Sequence, residues 1–243
     1  MKSNNPILRQ DTFRRYMEPA AATMTVEGTV NKTAMLFAIL LATAGFTWFI
    51  ARGNMGVVFP LLLVGAIGGL ITALVTTFKK HLAPVTAPIY AALQGFVIGG
   101  ISFVFDDMYP GIAFQAVGLT LCVMAAMLVA YRTGVIRATG KFKMGVIVAT
   151  ASIGLVYMAS LLLGLFGVEV PLIHSAGPFG IIFSLIVVSV AALNLIIDFD
   201  FIEQAAGGGA PQFMEWYGAF ALMVTLLWLY TEILRLLAKI RRK

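Results

Sequence analysis

Seven apolar segments, at roughly 34–50, 56–77, 86–105, 112–131, 144–166, 179–203 and 212–238, leave this chain few ways to fold. Each is long enough to cross a hydrocarbon core of about 30 Å as a helix. Backbone groups in lipid must be satisfied within the element, so spans are helices or closed barrels. The alternating apolar and polar pattern of a barrel is absent, and the expected class is an all-α integral membrane protein, a seven-transmembrane-helix bundle. Composition agrees: of 243 residues, 60% are hydrophobic and 12% charged, where soluble domains run near about 45–50% and about 25%. The single cysteine, Cys122, lies inside an apolar run and rules out a disulfide framework.

Residues 1–32 read as a polar arm with a short amphipathic helix around Leu8–Met17, and 33–240 as the transmembrane domain. The first apolar run starts after about thirty polar residues, too late for a cleavable signal. Asp11, Glu18 and Glu27 argue against an organelle transit peptide, which is poor in acids. The net charge of +6 is distributed in loops beside apolar segments, which suits membrane topology rather than nucleic acid. Lys2, Arg9, Arg14, Arg15 and Lys32 precede the first span, Lys79 and Lys80 follow the second, and Arg132, Arg137, Lys141 and Lys143 follow the fourth. Arg52 alone stands in the first loop, and the third and fifth hold none. The N-terminus is therefore expected in the cytoplasm. One conflict remains: seven crossings put Arg235, Lys239, Arg241, Arg242 and Lys243 outside, unless the last segment is re-entrant. A segment of this length is expected to span.

Short loops suggest that sequence neighbours pack as antiparallel neighbours. Gly65-x-x-x-Gly69 and Gly95-x-x-x-Gly99 allow close backbone approach, with intramolecular packing favoured over a dimer face. Pro84 and Pro88 are read as a break before the third helix.

Acids at membrane depth are costly and are read as functional by default. Segment six ends Asn194-Leu195-Ile196-Ile197-Asp198-Phe199-Asp200-Phe201-Ile202-Glu203. Ser184, Ala191, Asn194 and Asp198 share a helical face, and Asp200 points elsewhere. Segment seven supplies Glu215 at its start and Glu232 far along it, the latter three residues before Arg235. A hairpin turning over Gly207–Ala210 sets Asp198 level with Ala219 and Ile202 level with Glu215. Depth then favours Glu215 as the partner of Asp198, with Glu232 roughly 20 Å away. Two carboxylates in a dry site cannot both ionise cheaply. They either share a proton or present two charges to a cation such as Ca²⁺, which prefers oxygen ligands. Asp200, Glu203 and Glu215 also read simply as solvated acids at loop ends, and Glu232 as an acid held by Arg235.

Leu195-Ile196-Ile197-Asp198, Leu229-Tyr230-Thr231-Glu232 and the third segment from Tyr90-Ala91-Ala92-Leu93-Gln94-Gly95 to Gly100-Ile101-Ser102 resemble the Bax inhibitor-1 (transmembrane Bax inhibitor motif) family. The likeness covers roughly 34–240. Asp-Phe-Asp-Phe-Ile-Glu and Glu-Trp-Tyr look like a bacterial branch. The resemblance implies a bundle whose last helix is central, and a pH-responsive pair of acids on the last two helices gating a Ca²⁺ leak. By motif these are Asp198 and Glu232, with Glu where the family usually has Asp, so the resemblance and the depth argument name different partners. The family's latching Arg on the second helix has no counterpart between Val57 and Phe78, and Lys79 and Lys80 are the nearest cations.

The expectation is a pH-sensitive Ca²⁺ or cation leak channel or transporter in a bacterial inner membrane. Its proton-sensing or cation residues are Asp198, Asp200, Glu215 and Glu232, supported by Asn194, Tyr217, Tyr230 and Arg235. Asp198 and Glu232 are the candidate Ca²⁺ ligands. No resident cofactor is expected, and the protein is read as a monomer or weak oligomer. No Ser/His/Asp or Cys/His set falls at one depth, so an enzyme is not expected. The alternative is a non-conducting regulator that binds a membrane protease or other membrane proteins through its charged arm. His81 and His174 fall in loops on opposite sides, and Asp106 and Asp107 sit at a loop mouth.

Overall fold

The computed structural model describes residues 23–167 and 177–242. Among them are seven long apolar helices: α1 Val26–Gly53, α2 Val58–Phe78, α3 Ala83–Met108, α4 Ile112–Arg132, α5 Gly140–Leu165, α6 Pro178–Gly207 and α7 Met214–Arg241. One-turn 3₁₀ segments, Met55–Val57 and Lys80–Leu82, lead into α2 and α3. The protein is an all-α integral membrane protein. Phe49, Phe59, Phe78 and Phe114 stand on its outer surface, where hydrocarbon rather than water surrounds a spanning bundle. The amphipathic helix expected around Leu8–Met17, and His174, lie outside the described residues.

α1 starts well before its apolar run. Thr25 caps it, accepting from the Gly28 N–H at 2.9 Å, so Lys32, read from the sequence as part of a polar arm, is a helical residue. Threonines follow along the same helix, and Thr29, Thr33 and Thr47 each donate to the carbonyl four residues back. That bond satisfies a hydroxyl which lipid cannot. Pro88 is an interior residue of α3 rather than part of a break before it, and the chain turns at Lys80–Leu82 instead.

Glycine decides which helices touch. A Cβ on Gly95 would meet the Leu40 carbonyl oxygen at 2.6 Å, and one on Gly99 the Ala44 carbonyl oxygen at 2.5 Å, so α3 lies directly on the α1 backbone. A Cβ on Gly65 would meet the Leu93 carbonyl oxygen at 2.6 Å, which brings α2 onto α3. The two glycine pairs thus serve packing within the chain. The expectation that sequence neighbours pair throughout is corrected: α1 packs chiefly on α3 and barely on α2, and α5 rests on α6 rather than on α4. Only a residue lacking Cβ lets two backbones approach this closely, and those residues lie on the faces joining α3 to α1 and α2.

α7 packs against α1, α3, α4 and α6. Of its most apolar window 56% is buried, against 11% for α5, so α7 is a core helix and α5 a peripheral one. On one flank Leu36, Leu40, Tyr90, Phe220 and Met223 join α1, α3 and α7, with Tyr90 and Phe220 edge to face at 4.9 Å. On the other, Ala116, Leu195, Leu229 and Ile233 join α4, α6 and α7. The α7 helix runs unbroken from the α6–α7 turn to the opposite end of the bundle, where Arg241 donates to the Pro110 carbonyl at 2.9 Å. It is not re-entrant.

Candidate functional site

The acids of α6 and α7 occupy four different environments. Glu215, in the first turn of α7, is 2% exposed and reaches the start of α1. Its Oε1 accepts from the N–H and the hydroxyl of Thr25, both at 2.9 Å, and its Oε2 forms an ion pair with Lys32. Thr25, Gly28 and Lys32 lie three, four and seven residues apart, one face of a helix. The missing side chain at Gly28 is the space the carboxylate fills. Next to this cluster the Met24 N–H donates to the Ala210 carbonyl at 2.7 Å, which ties the chain ahead of α1 to the α6–α7 turn.

Glu232, also 2% exposed, lies deep along α7. Its Oε1 accepts from the Tyr157 hydroxyl of α5 at 2.9 Å and from Arg235 at 3.0 Å. The Arg235 guanidinium lies 5.7 Å from the Tyr157 ring centroid, which holds the trio together. One turn on, the Lys239 ammonium donates to Ser184 Oγ at 2.8 Å and to the Gly180 carbonyl at 3.1 Å. Arg235, Lys239 and Arg241, three of the five basic residues that conflict with the charge rule, are thereby bonded to the bundle, Lys239 half-buried and the two arginines exposed.

Asp200 and Glu203 point away from α7. Asp200 forms an ion pair with Lys143 at the start of α5 and accepts from Gln204 at 2.7 Å. Glu203 accepts from the Tyr131 hydroxyl of α4.

Asp198 is different. Its Oδ2 is buried and has no hydrogen-bond partner among the described residues. The hydroxyl of Thr225 on α7 stands beside this carboxyl but donates to its own helix, to the Ala221 carbonyl at 3.3 Å. Asn194, one turn earlier, turns to α5 and donates to Thr150 Oγ1 at 2.8 Å and to the Val190 carbonyl at 2.9 Å. It does not support Asp198.

The hairpin is longer than the sequence reading assumed, because α7 begins only at Met214. Ile202 therefore meets Gly218 rather than Glu215, and Asp198 meets Thr225 rather than Ala219. Ten residues separate Thr225 from Glu215 and seven separate it from Glu232, roughly 15 Å and roughly 10 Å along the helix. The depth argument for an Asp198–Glu215 pair is corrected: the structure brings Glu215 to Lys32 and leaves Asp198 between the two glutamates, joined to neither. Among the described residues no three His, Cys, Asp or Glu side chains gather as a metal would need.

The remaining expected residues make packing and capping contacts. Tyr230 bonds Ser102 of α3 at 2.6 Å in the core. Tyr217 sits between Phe201 and Phe220, with the Lys80 ammonium 5.2 Å from its ring centroid. Asp106 accepts from the Gly111 and Ala113 N–H groups and so holds the start of α4.

A model of the family described as Bax inhibitor 1 like matches residues 5–242. The chain belongs to the Bax inhibitor 1 like family. No curated protein and no solved structure matches it. The family match spans the described bundle and most of the arm before it. The resemblance implied Asp198 and Glu232 as the family's acid pair, and in this member Glu232 is already engaged by Tyr157 and Arg235. Sequence reasoning missed Thr25, Lys32, Lys143, Tyr157 and Thr225. The spacing of Thr25, Gly28 and Lys32 was a legible signal for the first two. Nothing local marks Tyr157, whose partner is 75 residues away.

Proposed function

We propose that this membrane protein is a proton-responsive cation leak pathway of the Bax inhibitor 1 type, with Ca²⁺ as the transported ion and Asp198 as the group that senses protons. One observation carries the reading: Asp198 Oδ2 is buried without a partner, while Glu215, Glu232, Asp200 and Glu203 are each engaged by named donors. A buried carboxylate oxygen with no donor carries a desolvation cost unless a proton or a cation supplies what it lacks. Exchanging one for the other changes the charge beside Thr225, on a helix that packs against α1, α3 and α4. The Thr225 hydroxyl, which donates to the Ala221 carbonyl at 3.3 Å, stands beside the carboxyl and can rotate to donate to either acceptor.

The test is Ca²⁺ flux into proteoliposomes over a series of pH values, for the wild type and Asp198→Asn. The wild type is expected to change its flux with pH and the variant to hold one level throughout. Equal pH responses in the two proteins reject Asp198 as the sensor. The orientation belongs to the same proposal: N-terminus in the cytoplasm, C-terminus outside, in a bacterial inner membrane. A reporter fused after Lys243 that is active only in the cytoplasm should be silent.

A further inference from the structure

Where α4 ends and the 133–139 loop turns towards α5, the structure opens a cleft of about 350 Å³, walled by Tyr131, Arg132, Ile136, Arg137, Asp200 and Glu203. It lies at the same end of the bundle as the α6–α7 turn, and of the acids on α6 it takes Asp200 and Glu203 but not Asp198. Its charges are unevenly used. Asp200 is neutralised by Lys143, and the Glu203 carboxylate already accepts from Tyr131. Among the described residues neither Arg132 nor Arg137 makes an ion pair or a side-chain hydrogen bond. Both guanidiniums are exposed, and Arg137 folds back over Gly134, whose φ of +72° makes the turn that puts it there.

We propose that this cleft is a binding site for a singly charged phosphate group, held by the two guanidiniums of Arg132 and Arg137. A guanidinium presents paired N–H donors that match phosphate oxygens. With Asp200 matched by Lys143, the two arginines against Glu203 leave one net positive charge, which suits a monoanionic phosphodiester better than a dianion. Tyr131 closes the last turn of a membrane helix, the level where aromatic rings and lipid headgroups meet. Basic pockets between membrane helices are suited to such headgroups. A phospholipid headgroup and free inorganic phosphate share this chemistry, and the experiment separates them.

The full-length protein, purified in a maltoside detergent, is titrated with phosphatidylglycerol, with diacylglycerol of the same acyl chains, and with inorganic phosphate. Binding is read by native mass spectrometry and by the rise in unfolding temperature. Phosphatidylglycerol is expected to bind saturably and diacylglycerol not to, with Arg132→Gln/Arg137→Gln losing about tenfold in affinity, about 1.4 kcal/mol. Lys141→Gln removes an exposed cation close by that does not line the cleft, and should change nothing. Glu203→Gln should strengthen binding, most of all for inorganic phosphate. Saturation by inorganic phosphate with the same arginine dependence identifies the free ion as the ligand and upholds the site. Equal binding of diacylglycerol, a double variant that binds like the wild type, or an equal loss in Lys141→Gln overturns it. The substituted arginines are exposed, and an unchanged unfolding temperature without lipid verifies that the variants fold.

Discussion

At the turn end of the bundle the Glu215 carboxylate collects two donors from Thr25 and the charge of Lys32, while in the last third of α6 Asp198 keeps one oxygen with nothing to accept from among the described residues. The two acids stand on adjacent helices of one hairpin; Glu215 is buried, and Asp198 is half-buried with its Oδ2 withdrawn from solvent. Their difference shows that burial by itself does not mark a functional acid in a membrane bundle. What separates them is whether the fold supplies the counter-charge. Glu215 is a clasp between the start of α1 and the start of α7. Asp198 Oδ2 has no such counterpart among the described residues.

The sharpest way to break this comparison is to remove the clasp. Glu215→Ala strands the Lys32 ammonium and the Thr25 N–H in a site only slightly exposed, and removing one partner of a buried pair costs about 3 kcal/mol or more. Unfolding in detergent, followed by tryptophan emission, should show a large drop in midpoint. Lys32→Met/Glu215→Leu should recover much of it, since an apolar pair of similar volume avoids the desolvation cost. A double variant no better than Glu215→Ala would show that the ion pair itself, and not the stranded charge, sets the loss. Gly28→Ala reaches the same clasp from the other side, because its new methyl group overlaps the Glu215 carboxyl.

A smaller effect is expected where packing rather than charge is disturbed. Gly99→Val pushes its side chain against the Ala44 backbone of α1, and overpacking of this kind costs about 2 kcal/mol. Gly118→Val, on a part of α4 with open space around it, should leave the unfolding midpoint in place. If both valines cost the same, the close approach of α1 and α3 is not what Gly99 serves.

Smaller again is Tyr157→Phe. It deletes one of two donors to Glu232 and leaves Arg235, so the loss should be about 1 kcal/mol in the same unfolding assay. A loss as large as that of Glu215→Ala would mean that Glu232 depends on Tyr157 as Glu215 depends on Lys32, and the contrast between clasped and unclasped acids would need a third class.

The number, length and class of the helices were legible because lipid leaves so few alternatives, and seven apolar runs of adequate length fix them. Pairing between helices was half legible. The Gly65, Gly69, Gly95 and Gly99 spacings announced close contacts, but a glycine does not say which backbone comes to meet it. The site was legible in its residues and not in its partners. Asp198, Glu215 and Glu232 stand out in any hydropathy profile, while Lys32, Tyr157 and Thr225 belong to other helices and are joined to them only by the fold. The register of the α6–α7 hairpin shows why. Starting α7 at Met214 moves the neighbour of Asp198 from Ala219 to Thr225, more than a full turn, and that is enough to exchange one expected pair for none.

Asp198→Asn should have the smallest effect on stability and the clearest effect on function. Asparagine keeps the shape of the side chain and removes its charge, so the unpartnered Oδ2 has no bond to lose and the cost of its buried negative charge is lifted. The unfolding midpoint is therefore expected to stay within about 0.5 kcal/mol of the wild type, or to rise. Glu215→Gln, the same chemical change on the clasped acid, should fall well below it, because Lys32 then has no counter-charge. Measured side by side in one detergent, the pair isolates the effect of a counter-charge from that of burial. Equal losses in the two variants would mean that Asp198 has a structural partner of its own, and the reading of it as an open group would fall with that result.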